Sequence, residues 1–231
     1  MMIHHRLLAC AKLIRGNFLC DVGTDHGLLP IYAVRNQLVS HAIACDIREQ
    51  PLESARANVA KYQLSDHIQL ILSDGLQEVP EKITEQLTDI VIAGMGGETI
   101  IHILGNFMRR SENKKILNFK NFILQPMTKA ELLREWLYQN GYEIREEICI
   151  PDGKFLYAVL SVQYSGIPID PDPAKIYFGR MNLHSQNGFA YAQRQYRRLC
   201  EIRDSRQSAE QDITALNQVV RELEECLSCK S

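Results

Sequence analysis

Several features that would indicate a membrane protein or a common enzyme class are missing from this chain of 231 residues. It contains no run of about 18 uncharged apolar residues, so we expect no membrane-spanning helix and no membrane partner. The start, Met1-Met2-Ile3-His4-His5-Arg6, lacks the long apolar region and the small-residue cleavage site of a secretion signal. The sequence also has no P-loop, no Ser-His-Asp signature and no cluster of metal ligands. Kinases, hydrolases and metal-dependent enzymes are therefore disfavoured, and no metal is expected.

Neither disulfide bonds nor a strong charge of one sign is indicated. The seven cysteines are scattered, and Cys226-x-x-Cys229 has no second Cys or His pair that would complete a zinc site. Reduced thiols fit a cytoplasmic protein. The net charge of −2 gives no overall attraction for nucleic acid, but basic residues are concentrated in residues 1–20, 109–120 and 175–206. These three stretches are either solvated faces or parts of a phosphate-binding surface.

Residues 18–30 form a short apolar run, a turn with two glycines and the start of a helical pattern. Such a turn lets the backbone pass close to a ligand, although it also serves as a simple tight connection. The spacing of Gly23 and Gly27 is not the Gly-x-Gly-x-x-Gly of dinucleotide-binding proteins. The acids Asp21 and Asp25 suit a cationic ligand instead, and S-adenosylmethionine, with its sulfonium and amino groups, is such a ligand.

Strand-like and helix-like segments alternate up to residue 164. Strands are predicted over 18–22, 41–46, 68–72, 89–93, 119–124, 142–150 and 155–163, and helices over 7–14, 28–38, 50–62, 98–108 and 130–140. The short turn Pro151–Lys154 makes the last two strands a hairpin. We therefore expect an α/β fold, a Rossmann-like class I methyltransferase sheet of seven mostly parallel strands with an antiparallel last strand.

The proline-rich segment Ser165–Pro173 predicts a domain boundary, with residues 1–165 before it and residues 166–231 after it. Beyond the boundary, apolar residues from Ile213 to Leu227 repeat at spacings of three and four, as in a coiled coil. A polar stretch near 204–210 predicts a turn and hence an antiparallel helical hairpin, one uninterrupted helix being the alternative. Such helices serve as packing appendages, as dimerisation elements or as a binding domain.

Acids and glycines follow the predicted strands at the edge where ligands bind in open α/β sheets. Asp46 ends the second strand and suits either a ribose or a helix N-cap. Asp74 ends the third and suits either an adenine amino group or an Asp-Gly turn. Gly94-Met95-Gly96-Gly97 offers a platform without bulky side chains for a flat substrate, or a tight turn. His26 invites assignment as a general base, but capping and backbone hydrogen bonds are commoner roles beside a glycine turn.

Taken together, the motifs resemble those of the bacterial tRNA (adenine-22, N1)-methyltransferase family. The resemblance covers essentially the whole chain, including the C-terminal helices. Its motifs are Asp-Val-Gly-Thr-Asp-His-Gly-Leu-Leu-Pro (21–30), Ala-Gly-Met-Gly-Gly (93–97), Leu-Gln-Pro (124–126), Asp-Gly-Lys-x-x-Tyr (152–157), Arg6-Leu-Leu and Arg134-Glu-Trp-Leu137. It implies a cytoplasmic enzyme, a monomer or weak dimer, that moves a methyl group from S-adenosyl-L-methionine to N1 of an unpaired adenine in tRNA.

The resemblance also implies roles for individual residues. Those expected at the cofactor are Asp21, Gly23, Thr24, Asp25, His26, Asp46, Ile47, Asp74, Gly75, Gly94 and Met95. Those expected at the reacting adenine are Asp25, Met95, Gln125 and Tyr157. Those expected to bind the tRNA are Arg6, Gly96, Gly97, Lys154, Arg194, Arg197 and Arg198, in part on a tRNA-binding hairpin over 166–231.

Three alternative functions stay open at this point. A methyltransferase acting on a small molecule or another RNA would use the hairpin for dimerisation. An NAD-dependent oxidoreductase is disfavoured by the glycine spacing and the antiparallel strand. A catalytically idle RNA-binding module would have no affinity for S-adenosylmethionine.

Overall fold

The computed structural model describes residues 3–110, residue 117 and residues 119–228. Its seven strands are β1 (Phe18–Val22), β2 (His41–Asp46), β3 (Ile68–Leu72), β4 (Asp89–Gly96), β5 (Asn121–Thr128), β6 (Tyr142–Asp152) and β7 (Phe155–Tyr164). The helices described before β6 are α1 (His5–Lys12), α2 (Leu28–Arg35), α3 (Glu49–Lys61), α4 (Glu81–Gln86), α5 (Gly97–Arg110) and α6 (Ala130–Gln139). Those that follow β7 are α7 (Pro173–Tyr177), α8 (Gln186–Ser208) and α9 (Thr214–Ser228).

The strands form one sheet in the order β3-β2-β1-β4-β5-β7-β6. Strands β1 to β5 pair in parallel, and β7 lies antiparallel between β5 and β6. The predicted fold class, including the antiparallel last strand, is confirmed. Because the strand order reverses between β1 and β4, this fold places a ligand-binding crevice beyond the carboxyl ends of these two strands.

Alternate residues of the strands pack into two apolar cores, one on each face of the sheet. Leu19 and Val91 face the core covered by α1, α2 and α3, whereas Cys20 and Ile92 face the core covered by α5 and α6. Because side chains alternate across a strand, runs of buried residues such as Leu19–Val22 serve both faces. The sheet is therefore packed on both faces, and the crevice lies at the end of this double-sided core.

The C-terminal helices have an apolar cluster of their own. It comprises Phe178, Ala192, Leu199, Val220 and Leu223, which are all at most 3% exposed. Residues 209–213 turn the chain between α8 and α9, so these helices form the predicted hairpin and not one uninterrupted helix. Ser185 caps α8 by accepting a hydrogen bond from the Gly188 amide, at 3.1 Å.

Several boundaries differ from the sequence-based expectation. Helices α4 and α7 were not predicted, because a helix of six or five residues shows little periodicity. Strand β4 runs on to Gly96, through glycines that the sequence assigned to a turn, because Met95 and Gly96 pair with Pro126 and Thr128 of β5. Within the part of the chain that the structure describes, no helix is both long and apolar enough to cross a membrane.

Candidate active site

A cavity of about 480 Å³ opens at the carboxyl ends of β1 to β5, and we call it the strand-end cavity. It brings together most of the residues that the sequence places around a cofactor and a flat substrate. The predicted residues that line it are Arg6, Asp21, Gly23, Asp25, Asp46, Ile47, Asp74, Gly75, Gly94, Met95 and Gln125. The lining thus combines residues from five strand ends with Arg6 of α1.

The turn after β1 is shaped around Met95. Gly23 has φ +75°, and a Cβ at this position would collide with the methyl group of Met95. The Gly23 and Thr24 amides both donate to the Cys45 carbonyl, at 2.8 Å, which ties the turn to β2. The positive φ favours glycine here, and any larger residue would also displace the end of the Met95 side chain.

Asp21 is a buried acid at the floor of this cavity. Burial raises the pKa of its carboxyl from 3.8 to about 6; the Thr24 hydroxyl opposes this rise, while repulsion from Asp46 and Asp25 adds to it. A ligand that brings positive charge would relieve the cost of keeping this carboxylate ionised. The chemistry of the floor thus fits a cationic group.

The other two strand-end acids are partly held by the protein itself. Asp46 is 7% exposed, and its Oδ1 accepts a hydrogen bond from the Arg48 amide at 2.9 Å. Asp74 is exposed, and its Oδ2 accepts from Gln77 at 3.3 Å. In each acid the remaining carboxylate oxygen makes no hydrogen bond to the described residues. The N-cap alternative for Asp46 is wrong, because Arg48 is the N-cap residue of α3 and no side chain caps that helix. The remaining oxygens leave both acids able to bind a ligand.

Gln125 lies buried beneath the Gly94 turn and fixes it to β5. Its Oε1 accepts from the Gly94 amide at 3.0 Å, and its Nε2 donates to the Pro126 carbonyl at 3.0 Å. Gly94, with φ +77°, is thereby held at the cavity wall. This arrangement favours a positioning role for Gln125 over the predicted direct hydrogen bond to adenine, which stays a prediction.

Some predicted residues lie outside the strand-end cavity. His26, with φ +58°, uses its carbonyl to accept from Asn58 at 2.9 Å, and its ring lies 3.2 Å from Asp25. Thr24 is fully buried beneath the turn. Gly97 allows close packing, since a Cβ there would collide with the Lys129 carbonyl, and Gly96 pairs with Thr128. These glycines join β4 and α5 to the β5–α6 turn and form no open platform in this structure.

The tRNA-binding residues predicted on α8 line a second cavity, of about 760 Å³, which we call the basic cleft. The cleft lies between the β5–α6 turn, the start of β7 and α8, and its wall includes Tyr157, Arg194, Arg197 and Arg198. It adjoins the strand-end cavity, since the Arg6 guanidinium, on that cavity's wall, lies 5.6 Å from the centre of the Tyr157 ring. Of the four residues expected at the reacting adenine, three thus lie in one cavity and Tyr157 in its neighbour.

Of the two interpretations of the basic stretches, a shared phosphate-binding surface does not hold for parts of two of them. Lys120 is buried and donates to the carbonyls of Thr84 and Leu87, at 2.5 and 2.9 Å, and burial lowers its pKa to about 8. Arg110 donates to the carbonyls of Leu76 and Val79. Lys114 and Lys115 lie outside the described residues. Arg15 of the first stretch pairs with Glu146, and its amide donates to Asp89 at the start of β4, the end of that strand opposite to the strand-end cavity.

Sequence reasoning missed several residues of these cavities. Asp152 binds the Nε of Arg6 at 2.8 Å and so fixes its guanidinium between the two cavities. His102 and Thr99 of α5 line the strand-end cavity, and Phe155 lines the basic cleft. The Asp-Gly-Lys turn at 152–154 pointed to this region, but its pairing with α1 required the fold. No group of three His, Cys, Asp or Glu side chains within the described ranges is arranged to hold a metal ion.

The chain is similar in sequence to known methyltransferases. A family model described as a methyltransferase domain matches residues 3–160. The tRNA (adenine(22)-N(1))-methyltransferase of Bacillus subtilis is 36% identical over 161 residues, which are 69% of this chain and 64% of that relative. A putative tRNA methyltransferase of Mycoplasma genitalium is 28% identical over 162 residues, or 68% of each protein. The matched region therefore spans less than two thirds of the B. subtilis relative.

Solved structures extend the likeness to the C-terminal helices. TrmK of M. capricolum, in complex with S-adenosyl-homocysteine, has a TM-score of 0.79 and 26% identity over 100% of both chains. A putative tRNA (m1A22) methyltransferase of Streptococcus pneumoniae, in complex with S-adenosyl-L-methionine, has a TM-score of 0.79 and 30% identity over 96% of this chain and 99% of that one. The resemblance drawn from the motifs is confirmed, and the chain belongs to the methyltransferase-domain family.

Proposed function

We propose that this protein transfers a methyl group from S-adenosyl-L-methionine to N1 of an adenine in tRNA, at position 22 of the D-loop. The observation that carries the proposal is the strand-end cavity, where three acids and a glycine turn surround the crevice at the β1–β4 reversal. S-adenosyl-L-methionine supplies a methyl group activated by its positively charged sulfur. The B. subtilis relative is named for the same reaction.

The cavity has groups suited to each part of this donor. Asp21 and Asp25, with the Gly23 turn, would hold the positively charged methionine end. Asp46 would accept hydrogen bonds from the ribose hydroxyls, with Ile47 beside it. Asp74 and Gly75 would face the adenine, and Gly94 and Met95 would close the wall nearest the acceptor. Thr24 and His26 would act indirectly, by holding the turn.

The acceptor side needs positioning more than a strong base. Adenine N1 carries a free lone pair, so a good attack geometry can provide most of the rate, up to about 7–11 kcal/mol. N1 lies on the base-pairing edge, so the adenine must be unpaired or flipped out. Met95 and Tyr157 would bound the adenine, Gln125 would fix the wall beside it, and Asp25 would favour the cationic product.

The same proposal assigns residues 166–231 to an accessory domain that binds tRNA. Arg194, Arg197 and Arg198 lie on one face of α8 and line the basic cleft. Lys154 lies on the β6–β7 turn, 5.4 Å from the ring of Phe155 in the cleft. Arg6 lies against Tyr157 of the cleft, and Gly96 and Gly97 pack against Thr128 and Lys129, which line it. None of the cysteines that the structure describes forms a disulfide bond, which fits a cytoplasmic enzyme. We further propose a monomer or weak dimer.

The test is to incubate the protein with methyl-labelled S-adenosyl-L-methionine and an unmodified tRNA transcript, and then to map the methylated nucleoside. We expect label in 1-methyladenosine and a stop in primer extension at position 22, because N1 methylation blocks base pairing. A transcript with guanine at position 22 is the matched control and should stay unlabelled. Label in another nucleoside, or none, would refute the proposal.

A small-molecule methyltransferase with a dimerising hairpin is the alternative. It predicts activity in tRNA-free reactions with a low-molecular-weight acceptor, and no effect of substitutions in the basic cleft. The exposed arginines that line this cleft on α8 favour the tRNA enzyme, since a dimerisation element has no need of them.

A further inference from the structure

Phe155 is an exposed aromatic residue in the basic cleft for which neither folding nor the proposed reaction accounts. It begins β7 beside the tight turn at Gly153, and 41% of its surface is exposed. Its ring lies 6.0 Å from that of Tyr157, two residues further along the same strand face, at an angle of 44°. The cleft therefore has an aromatic floor that starts at Tyr157, beside Arg6, and extends away from the strand-end cavity.

Cations surround this floor. The Arg194 guanidinium and the Lys154 ammonium each lie 5.4 Å from the centre of the Phe155 ring. Among the described residues, Lys154, Arg194 and Arg197 make no ion pair, whereas Arg198 is paired with Glu131 at 2.6 Å. Glu201 also lines the cleft, one helical turn beyond Arg197. The floor thus lies among cations that the protein itself leaves without carboxylate partners.

The cleft adjoins the site of the proposed reaction. Gln125 lines the strand-end cavity and the next residue, Pro126, lines the cleft. Arg6, whose charge is balanced by Asp152 at 2.8 Å, separates the two cavities. A polynucleotide with one base in the strand-end cavity would therefore pass its neighbouring nucleotide into the cleft.

We propose that the basic cleft binds the nucleotide adjoining the methylated adenine, with its base stacked on Phe155 and its phosphate held by Arg194 and Arg197. Exposed aromatic rings among basic residues are the usual means of binding single-stranded nucleic acid without reading its sequence. The contacts of Lys154 and Arg194 with the ring are near the outer limit of about 6 Å for such pairs, so a base can replace one of them. The inference rests on the proposed function for the identity of the RNA and for the methylated adenine, but the binding of a nucleotide in the cleft can be tested without it.

The test uses the full chain with Phe155→Ala, Phe155→Leu and Phe155→Trp. Leucine keeps the apolar bulk but loses the flat ring, while tryptophan keeps a stacking surface. We expect the alanine and leucine variants to raise the KM for tRNA by about 5- to 150-fold, the usual cost of one lost base stack. The tryptophan variant should stay near wild type, and the Kd for S-adenosyl-L-methionine should be unchanged in all three.

Phe119→Ala is the matched control, since Phe119 is 83% exposed and lies just before the amino end of β5, whereas the strand-end cavity lies at the carboxyl ends. It should leave the KM for tRNA unchanged. Arg197→Gln should lower the salt dependence of RNA binding. The slope of the logarithm of the binding constant against the logarithm of the salt concentration should fall in magnitude by about 0.7, the value for one lost phosphate contact. Phe155→Leu should weaken binding without changing that slope.

Binding of single-stranded octa-adenylate separates this inference from the proposed function. If the wild-type chain binds octa-adenylate and Phe155→Leu weakens the binding about tenfold, the cleft binds nucleotides even if no tRNA is methylated. If octa-adenylate fails to bind the wild-type chain, or binds both proteins equally, the cleft proposal is overturned even if tRNA is methylated.

Discussion

At the scale of single residues, the Asp21 carboxyl is buried beside two further acids at the ends of β1 and β2. Its pKa is raised from 3.8 to about 6, so between these values the folded protein binds more protons than the unfolded chain. The free energy of unfolding therefore falls as the pH rises through this window. Above the window, the folded protein bears the full cost of the buried, ionised Asp21 carboxylate. A shift of this size corresponds to about 3 kcal/mol.

Asp21→Asn should therefore stabilise the ligand-free protein while removing its function. We expect the free energy of unfolding to rise by up to about 3 kcal/mol near pH 7 and to change little near pH 4. Affinity for S-adenosyl-L-methionine should fall about 10- to 100-fold, because a charged hydrogen bond is lost. Urea unfolding at the two pH values and titration calorimetry measure these effects.

Asp25→Asn is the matched control for this prediction. The Asp25 side chain is 73% exposed, so its substitution should leave stability within about 0.5 kcal/mol of wild type. Turnover should nevertheless fall, if Asp25 favours the cationic product. Equal stability of Asp21→Asn and wild type near pH 7 would contradict the assigned cost of the buried carboxylate.

The strand-end acids were predictable from sequence, because each follows a recognisable apolar run and parallel strands bring their carboxyl ends to one edge. The burial of Lys120 was not predictable, since nothing in the sequence indicates that its ammonium group donates to carbonyls of the segment 84–87. The hydrogen bond between Gln125 and Gly94 and the ion pair between Asp152 and Arg6 were also not predictable from the sequence. Both depend on contacts between segments that only the tertiary fold brings together.

At the scale of elements, one buried ion pair joins the sheet to the C-terminal helices. Arg134 of α6 donates to Glu147 of β6 at 2.7 and 2.9 Å, and both side chains are fully buried. The same guanidinium donates to the Ile176 carbonyl of α7 and to the Tyr191 hydroxyl of α8. Glu147 in turn accepts from the Arg180 amide at 2.8 Å, so α6, β6, α7 and α8 share one polar network.

Arg134→Met should lower the free energy of unfolding by about 3–5 kcal/mol, because it leaves the Glu147 carboxylate buried without its partner. The only tryptophan, Trp136, lies two residues further along α6 and reports urea unfolding by fluorescence. Arg15→Met breaks the half-exposed pair with Glu146, at 3.4 Å, and should cost at most about 1 kcal/mol. Similar costs for both variants would argue against the assigned role of the buried network.

The long elements were predictable because their apolar periodicity is strong, and the hairpin because a short Asp-Gly-Lys turn joins two β-rich runs. The seam between the sheet and the C-terminal helices was not predictable. Gly179 has φ +67° and a Cβ there would collide with Glu147, but in the sequence it is only a glycine near a proline-rich segment. The need for glycine arises from a contact across about 30 residues.

At the scale of the whole molecule, the sequence predicted a mostly parallel sheet with an antiparallel last strand, but not how the two cavities adjoin. Alternating strands and helices fix the reversal between β1 and β4, and with it the strand-end cavity. The basic cleft instead forms where the start of β7 meets α8, a meeting that no local pattern indicates. The net charge of −2 also hides the cleft, because the basic residues that line it are balanced by acids elsewhere in the chain.

The C-terminal cluster provides a test of the proposed boundary at residue 165. Leu223 of α9 is fully buried in that cluster, whereas the residues that line the strand-end cavity all precede residue 126. Leu223→Ala should destabilise the helical hairpin by about 2–5 kcal/mol. Hydrogen exchange should then be faster in 186–228 and unchanged in β1 to β5, and the KM for tRNA should rise while the Kd for S-adenosyl-L-methionine stays the same.

Leu160→Ala, a substitution of the same type in β7, is the matched control. Leu160 is fully buried in the core that α5 and α6 cover, so its loss should speed exchange throughout the sheet and weaken binding of S-adenosyl-L-methionine at elevated temperature. The two variants should thus separate binding of the donor from binding of the tRNA. If Leu223→Ala weakened both equally, the two parts of the chain would unfold as one unit, and residues 166–231 would be an integral layer of the methyltransferase fold instead of an accessory domain.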